Sequence, residues 1–314
     1  MITIQTQNFG TEIEMTGITR STAAKVIAKY FETTSTFIGG SYDTYGALDR
    51  KGRMWKAMSD RSISAERKKN GEIVNASPNY RCELVTPVLQ YEDIEDLQNI
   101  IRALVKRGAI VNRSCGMHVH VDGANHTAES LVRLLNFAVG RQDLFNEALE
   151  NKVRLHWCQN TSAKLLKALK DDSEKTLDSL KRIWYSSVND DYVGGVDTHS
   201  HYNSTRYHGI NLHAFFSKGT VEFRLFNSTL HAGKIKAYIQ FCLAMSAWAI
   251  NANNNLYFKY CGSYTQEQKE KLMKGVLKRR LGMSGPEFKT ARLHLTAAFR
   301  TEEQEQTTEE EATA

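Results

Sequence analysis

The sequence predicts an α+β fold built on a mainly antiparallel sheet. Three observations carry this reading. Several segments alternate apolar and polar residues with a period of two, and they come in antiparallel-looking pairs. Segments with apolar residues three and four apart do not alternate regularly with them, as a doubly wound sheet would require. The 314 residues include only three prolines, Pro78, Pro87 and Pro286, and no Pro/Gly/Ser linker or internal repeat divides them.

Taken in order, strands are predicted at about residues 3–16, 53–59, 80–86, 109–122, 209–216 and 219–227, from alternation and β-branched content. The first helix is "STAAKVIAKYFE", opened by a capping serine or threonine. The second, "EDIEDLQNIIRALVKRG", has acids first, bases last and Gly108 as its stop. "TAESLVRLLNFAVGRQDLFNEALE" opens with Thr127 and Ser130. "KIKAYIQFCLAMSAWAIN" is apolar nearly all round and is expected to be buried. Another helix is expected at about 265–281, and the basic stretch from Glu147 to Tyr185 reads as helical, a lid or an oligomer contact.

Composition narrows the class. Hydrophobic residues make up 41% and charged residues 24%, as in a soluble globular protein. No apolar run is long enough to span a bilayer, so no membrane partner is expected. "MITIQTQNFG" has neither the basic nor the apolar region of a signal peptide, and a cytoplasmic location is expected. Five separated cysteines, Cys82, Cys115, Cys158, Cys242 and Cys261, argue against a disulfide framework or a thiolate zinc site. Most are expected to act as small buried hydrophobes. The net charge of +6 conceals a tail, "TEEQEQTTEEEATA", that holds six glutamates and no base. The tail, residues 301–314, reads as a disordered acidic appendage. The basic body suits an anionic ligand such as a nucleotide, a phosphate or an acidic peptide. "ERKKNG" and "LKRRLG" read as solvated surface, and nucleic acid is disfavoured because no zinc finger, RRM signature or bZIP region lies near them.

The polar faces of the strands are less ordinary. In "NFGTEIEMTG", Phe9, Thr11, Ile13 and Met15 share one face, and Glu12 and Glu14 the other. Alone, this reads either as a solvated acidic face or as a pair of hard oxygen ligands. "YRCELVTPVL" puts Glu83 opposite Cys82, Leu84 and Thr86. "CGMHVHVDG" puts His118, His120 and Asp122 opposite Met117, Val119 and Val121. "GTVEFRLFN" puts Glu222 and Arg224 opposite Val221, Phe223 and Leu225, and "RMWKAMSDRS" runs out to Asp60 and Ser62. In one sheet these faces would form a cavity of four carboxylates, two imidazoles and an arginine. Such carboxylate density needs cations, and oxygen ligands with an imidazole suit Mg²⁺ or Mn²⁺. Arginine beside them suits a phosphate, and the set is equipment for phosphoryl transfer.

The motifs "FGTEIE", "WKAMSDRSI", "CELVTPVL", "CGMHVHV" and "RYHGINLHAFFSKGTVEFRLFNSTL", from Phe9 to Leu230, resemble the amidoligase family. That family belongs to the carboxylate–amine ligase superfamily, with glutamine synthetase and glutamate–cysteine ligase. The resemblance implies a curved sheet forming a glutamine-synthetase-like catalytic funnel, with helices on its outer face. It implies one catalytic domain over residues 1–300, with a helical insertion or lid at about 147–185. ATP and substrate would enter from opposite ends, with divalent metals between. By the same resemblance, Glu12, Glu14, Glu83, His118 and Glu222 bind metal, with His118 near the transferred phosphate. His120 helps hold the nucleotide. Arg224 stabilises the phosphate, and Arg206 is a second phosphate-binding candidate. Asp60 and Ser62 form a "DxS" element in the role of substrate contact, and Asn211 is placed among the substrate contacts with them, supporting the site. The implied reaction joins a carboxylate, on a small molecule, peptide or protein, to an amine through an acyl phosphate. Superfamily relatives are often oligomers, which leaves a homo-oligomer open.

Two other readings compete. A metal-dependent amide hydrolase would use His118 and His120 at a strand end, and would need a barrel with alternating helices. A basic non-enzymatic binding module would explain the charge but not the acidic strand faces. The polar segment "SSVNDDYVGGVDTHSHYNSTRYHG" is expected to be a loop over the funnel, with His199, His201 and His208 at its surface rather than on zinc.

Overall fold

The computed structural model describes residues 1–151, 157–188, 200, 203–253 and 263–300. Ten strands are described: β1 (Phe9–Met15), β2 (Ser35–Gly39), β3 (Thr44–Leu48), β4 (Met54–Met58), β5 (Glu66–Lys69), β6 (Glu72–Asn75), β7 (Cys82–Val85), β8 (Gly116–Asp122), β9 (Ile210–Asn211) and β10 (Thr220–Asn227). Helices α1 (Arg20–Phe31), α2 (Ile94–Lys106), α3 (Ala128–Val139), α4 (Gln142–Ala148), α5 (Ala163–Asp171) and α6 (Leu177–Ser187) precede β9. Helices α7 (His213–Lys218), α8 (Ala232–Asn251), α9 (Gln266–Gly275) and α10 (Lys289–Thr296) complete the set.

Eight strands form one sheet in the order β2-β3-β4-β7-β1-β8-β10-β9, and every pairing is antiparallel. The fold is therefore α+β, as the patterning predicted, and the alternating barrel of the hydrolase reading is absent from the described residues. β5 and β6 make a separate exposed hairpin that carries the basic "ERKKNG" run.

Period-two alternation sets the two faces of the sheet. Phe9, Ile13 and Met15 of β1, Leu84 of β7, Val119 of β8 and Phe223 of β10 are buried in the core. Helices α1, α2 and α8 pack on that side, and α8 is buried nearly all round. On β10 the register to β8 shifts between Phe223 and Phe226. The one extra residue is a bulge, so Phe223 and Phe226 both reach the core despite their odd spacing. Phe226 stacks on Tyr238 of α8, with ring centroids 4.3 Å apart.

The element bounds differ from the sequence reading in instructive places. Residues Ile4–Thr6 form a 3-10 turn, tied by Thr3 N–H donating to Thr6 Oγ1, and the strand starts only at Phe9. Residues 109–115 contribute a single bridge, Thr16 to Ile110, before an Asn112 side-chain turn accepts from Ser114 N. The strand expected at 209–216 stops at Asn211. There the Asn211 side chain accepts from Ala214 N and opens α7. The helix expected over 127–150 breaks at Gly140 into α3 and α4, and α9 gives way to a π-helical turn at Val276–Arg280. Cys82, Cys115, Cys158 and Cys242 are buried, whereas Cys261 and the acidic tail lie outside the described residues.

Candidate active site

The site face gathers side chains from neighbouring strands by register alone. Glu12 pairs with His118, Glu14 with Glu83, and Glu222 with both His120 and Asn211. Four carboxylates, two imidazoles and one guanidinium therefore meet on the central strands. This is not a solvated acidic face. Glu14, Glu83, His118, Glu222 and Arg224 are each 3–8% exposed, and Glu12 is the most open at 24%.

Arg224 and Glu222 form the innermost pair. Arg224 Nη1 donates to Glu222 Oε1 at 2.6 Å, and Asn211 Nδ2 donates to Glu222 Oε2 at 2.6 Å. Burial pushes the Glu222 carboxyl up, but the charges of Arg224, His120 and His118 outweigh it and hold it at about 2. Glu222 is thus a carboxylate with both oxygens engaged. Asn211, expected among the substrate contacts, is buried and spends its amide on Glu222 and on Ala214 N.

His118 sits between the acids. Its Nδ1 is 3.0 Å from Glu12 Oε2, 3.6 Å from Glu222 Oε1 and 3.4 Å from Arg224 Nη1. Burial and the Arg224 charge push this imidazole down to about 4, so it is neutral at pH 7 and carries one proton. With two carboxylates against Nδ1, we assign the proton there, donated to Glu12. The lone pair of Nε2 is then left over, and Nε2 is buried without a hydrogen-bond partner. His120 is the opposite case. Burial lowers it, but the Glu12 and Glu222 charges outweigh that and raise it. Its Nε2 lies 3.2 Å from Glu12 Oε1, an ionic contact outside hydrogen-bond geometry, and its Nδ1 is 3.2 Å from Thr220 Oγ1.

Glu14 Oε2 accepts from Gly116 N at 2.6 Å. Glu83 faces it across the β1–β7 ladder. Burial, then the charges of Glu12, Glu14 and Asp60, push the Glu83 carboxyl well above its ordinary range. A carboxyl so crowded by other acids is relieved by a cation. Two overlapping sets, Glu12/His118/Glu222 and Glu14/Glu83/His118, each bring their ligand atoms within 4.8 Å of one another. The unpartnered Nε2 of His118, four hard oxygen donors and no thiolate fit Mg²⁺ or Mn²⁺.

The remaining predicted residues lie around this centre. Arg206 and Arg224 both approach the ring of Tyr207, at 5.6 and 5.9 Å from its centroid, which brings the second arginine to the same wall. Asp60 Oδ1 accepts from Ser62 N at 2.6 Å, so the "DxS" element is a local turn. Its aspartate reaches Glu83 electrostatically, and Ser62 is exposed. His208 is not at the surface. It is 1% exposed and packs edge-on to Trp184, because the residues around it close on Gln159. His199 and His201 lie outside the described residues.

Sequence reasoning missed two features. Tyr207 carries no pattern of its own and becomes visible only when both arginines converge on it. At the other end, a cavity of about 460 Å³ opens beside Glu12 and His120, walled by Val85, Pro87 and Val88 and rimmed by Lys218. The reading of 209–216 as a strand hid that rim, because Lys218 ends a short helix.

A comparison with curated proteins found no match. Among solved structures, a crystal structure of a bifunctional glutathione synthetase from Pasteurella multocida is similar at 13% identity and a TM-score of 0.40. The match covers 94% of this chain and 47% of that one, so the chain spans about half its length. The family model described as "Putative amidoligase enzyme" matches residues 5–246, and the chain belongs to that amidoligase family.

Proposed function

We propose that the protein is an ATP-dependent carboxylate–amine ligase that forms an amide or peptide bond through an acyl phosphate. One observation carries the reading. A buried guanidinium, Arg224, stands among four carboxylates and a neutral imidazole with an unpartnered nitrogen, all on one sheet face. Arginine and divalent-cation ligands together are what a transferring phosphoryl group requires. Residues 1–300 act as one catalytic domain, and the site face is the wall of a glutamine-synthetase-like funnel.

In the first step a substrate carboxylate oxygen attacks the γ-phosphorus of ATP. The bond to the β-phosphate oxygen breaks, and ADP leaves. In the second step the incoming ammonium gives up one proton to a Glu or His base of the site, the freed amine nitrogen attacks the acyl carbon, the bond to phosphate breaks, and the nitrogen's second proton leaves with inorganic phosphate as the amide forms. Arg224 lends positive charge to the transferring phosphoryl oxygens, and Arg206 adds to it from across Tyr207. Glu222, itself held by Asn211, anchors Arg224 through Nη1. Glu12, Glu14, Glu83, His118 and Glu222 would hold Mg²⁺ or Mn²⁺, which supplies charge neutralisation for the phosphates when bound. His118 enters neutral, oriented by Glu12, and His120 stands on the nucleotide side. The acid at the Asp60 end suits the ammonium form of the incoming amine.

The test is release of ADP and phosphate by purified protein with ATP, Mg²⁺ or Mn²⁺, and pools of amino acids and peptides. Release that needs metal and an added carboxylate, and is abolished in a folded Glu14→Gln protein, is the expected result. Wild-type turnover in Glu14→Gln, or amide hydrolysis without ATP, would overturn the reading.

A further inference from the structure

The two edges of the eight-stranded sheet are unlike. β9 ends one of them with only two residues, and α7 follows it closely. β2 ends the other with five. Its inner edge pairs with β3, and among the described residues no strand lies beside its outer edge. The outward N–H and C=O groups of such a strand are a template for another strand. Edge strands are ordinarily guarded by lysine, proline, inward charge, a bulge or a cover. From Thr33 to Tyr42, "TTSTFIGGSY", there is no charged residue and no proline. One guard is present. Phe37 lies opposite Tyr45 and Gly39 opposite Thr44, so Ile38 is the extra residue of a bulge.

This bulge leaves the edge with an apolar side chain on each face. Phe37 turns to the face of Tyr45, with ring centroids 4.8 Å apart. Ile38 lies on the other face, across Gly46, where a Cβ would clash with Ile38 Cδ1 and Met54 Sδ. Despite these contacts Phe37 is 62% exposed and Ile38 49%, and Leu48, on the Gly46 face of β3, is 43% exposed. A helix or loop laid on one face would cover only one of the two β2 side chains. A neighbouring strand covers both. Charge then selects the strand. The chain carries +6, and residues 301–314 hold six glutamates, so the remainder is strongly basic. Two copies repel each other over most of their surface and meet best where charge is absent. At the ends of the neutral stretch, Glu32 is exposed and Asp43 is paired with Arg20. The partner strand must be neutral and apolar on both faces, and β2 is itself such a strand. Antiparallel pairing of β2 with its own copy is two-fold symmetric, so one contact satisfies both edges and closes the assembly.

We infer that β2 pairs antiparallel with β2 of a second copy, giving a two-fold dimer with one continuous sheet in which Phe37 and Ile38 of each copy cover those of the other. The two-fold axis stands perpendicular to the sheet, so the site faces of both copies open on the same side. The inference does not rest on the ligase reading, because Phe37 and Ile38 lie on the outermost strand, three strands from β7 and its Glu83.

The test is sedimentation velocity of the full-length protein over about 1 to 100 µM, where an edge contact at the small end of interface sizes should give a monomer–dimer equilibrium. Phe37→Lys puts two like charges across the axis and is expected to weaken the dimer by roughly a hundredfold or more. Phe37→Glu should do the same. An equimolar mixture of the two should dimerise where each alone does not, which a merely structural role for Phe37 would not produce. Melting temperatures near the wild-type value show that the variants fold. Should they fail to fold, Thr36→Lys and Thr36→Glu, at an exposed polar position of the same strand, carry the same comparison. Four results would overturn the inference. They are a wild type that stays monomeric throughout, a Phe37→Lys protein that dimerises like wild type, a Lys and Glu mixture that stays monomeric, and assembly that grows beyond dimers. The first would leave the edge to an extended segment of a different protein. None of them bears on the ligase reading, which the ADP-release assay tests separately.

Discussion

Replacing Glu83 by glutamine separates the cation centre from the stability of the fold. Glu83 is 8% exposed and faces Glu14, with Glu12 and Asp60 also acting on it. Burial and those three acids favour its neutral form. Glutamine has nearly the same shape and no charge, so the metal-free variant should differ from wild type by less than about 1 kcal/mol. With Mn²⁺ the two should diverge. A wild-type site at a hundred times its dissociation constant gains about 2.7 kcal/mol. If the lost oxygen weakens the site about tenfold to a hundredfold, the variant gains only about 1.4 to 0.4 kcal/mol at the same concentration. At about 2 °C per kcal/mol, the Mn²⁺-induced rise in melting temperature falls from about 5 °C to between about 1 and 3 °C. Differential scanning calorimetry with and without Mn²⁺ measures all four values. Equal Mn²⁺ shifts in both proteins would refute Glu83 as a ligand. A metal-free variant destabilised by more than about 2 kcal/mol would refute a carboxyl pushed towards its neutral form by its acidic neighbours.

Other consequences can be checked independently. Arg224→Lys keeps the charge but loses the planar guanidinium that Glu222 anchors through Nη1, and ADP release should fall by about a hundredfold while Mn²⁺ affinity holds. His126 lies between Ser130 and Ser246, at 2.9 and 3.0 Å, and burial with the nearby Arg133 pushes it down to about 4. Below pH 6.5 the unfolded chain takes up this proton first, so stability should fall by up to about 3 kcal/mol by pH 4, and His126→Asn should show a shallower pH slope in urea melts. Burial raises the Asp93 carboxyl, but Arg53, Gln90 N–H and Lys51 outweigh it and hold it at about 2. Asp93→Ala should cost about 3 kcal/mol in unfolding free energy at pH 7, and the wild-type advantage should fade as pH drops from about 4 towards 2. Gly17 has φ +79°, and a Cβ there would clash with the Gly108 carbonyl oxygen, so Gly17→Ala should lower stability by more than about 2 kcal/mol.

The sheet face was legible in the sequence because period-two alternation is local. Glu12, Glu14, Glu83, His118, His120, Glu222 and Arg224 each stand opposite apolar neighbours, and antiparallel pairing brings those faces together without further information. The pairs across strands were not legible. Nothing local says that Glu14 meets Glu83 or that Asn211 holds Glu222. Strands β2 and β3 escaped because "STFIG" and "TYGAL" lack alternating burial, with Phe37 and Ile38 both exposed on an edge strand. The α7 segment read as a strand because His213 to Phe216 is apolar and aromatic, and the deciding contact is one side-chain cap, Asn211 Oδ1 accepting from Ala214 N. Lys218 was hidden by the same misreading. His208 looked like a loop histidine because its sequence neighbours are polar, whereas tertiary contacts with Trp184 bury it.

The most direct test of the central claim is a calorimetric titration of ATP into the protein with Mg²⁺ and again with EDTA, for wild type and Glu14→Gln. The account predicts that ATP binds wild type only with Mg²⁺ and that the folded variant loses that binding. Equal ATP binding in EDTA, or Mg²⁺-dependent binding that survives Glu14→Gln unchanged, would contradict it.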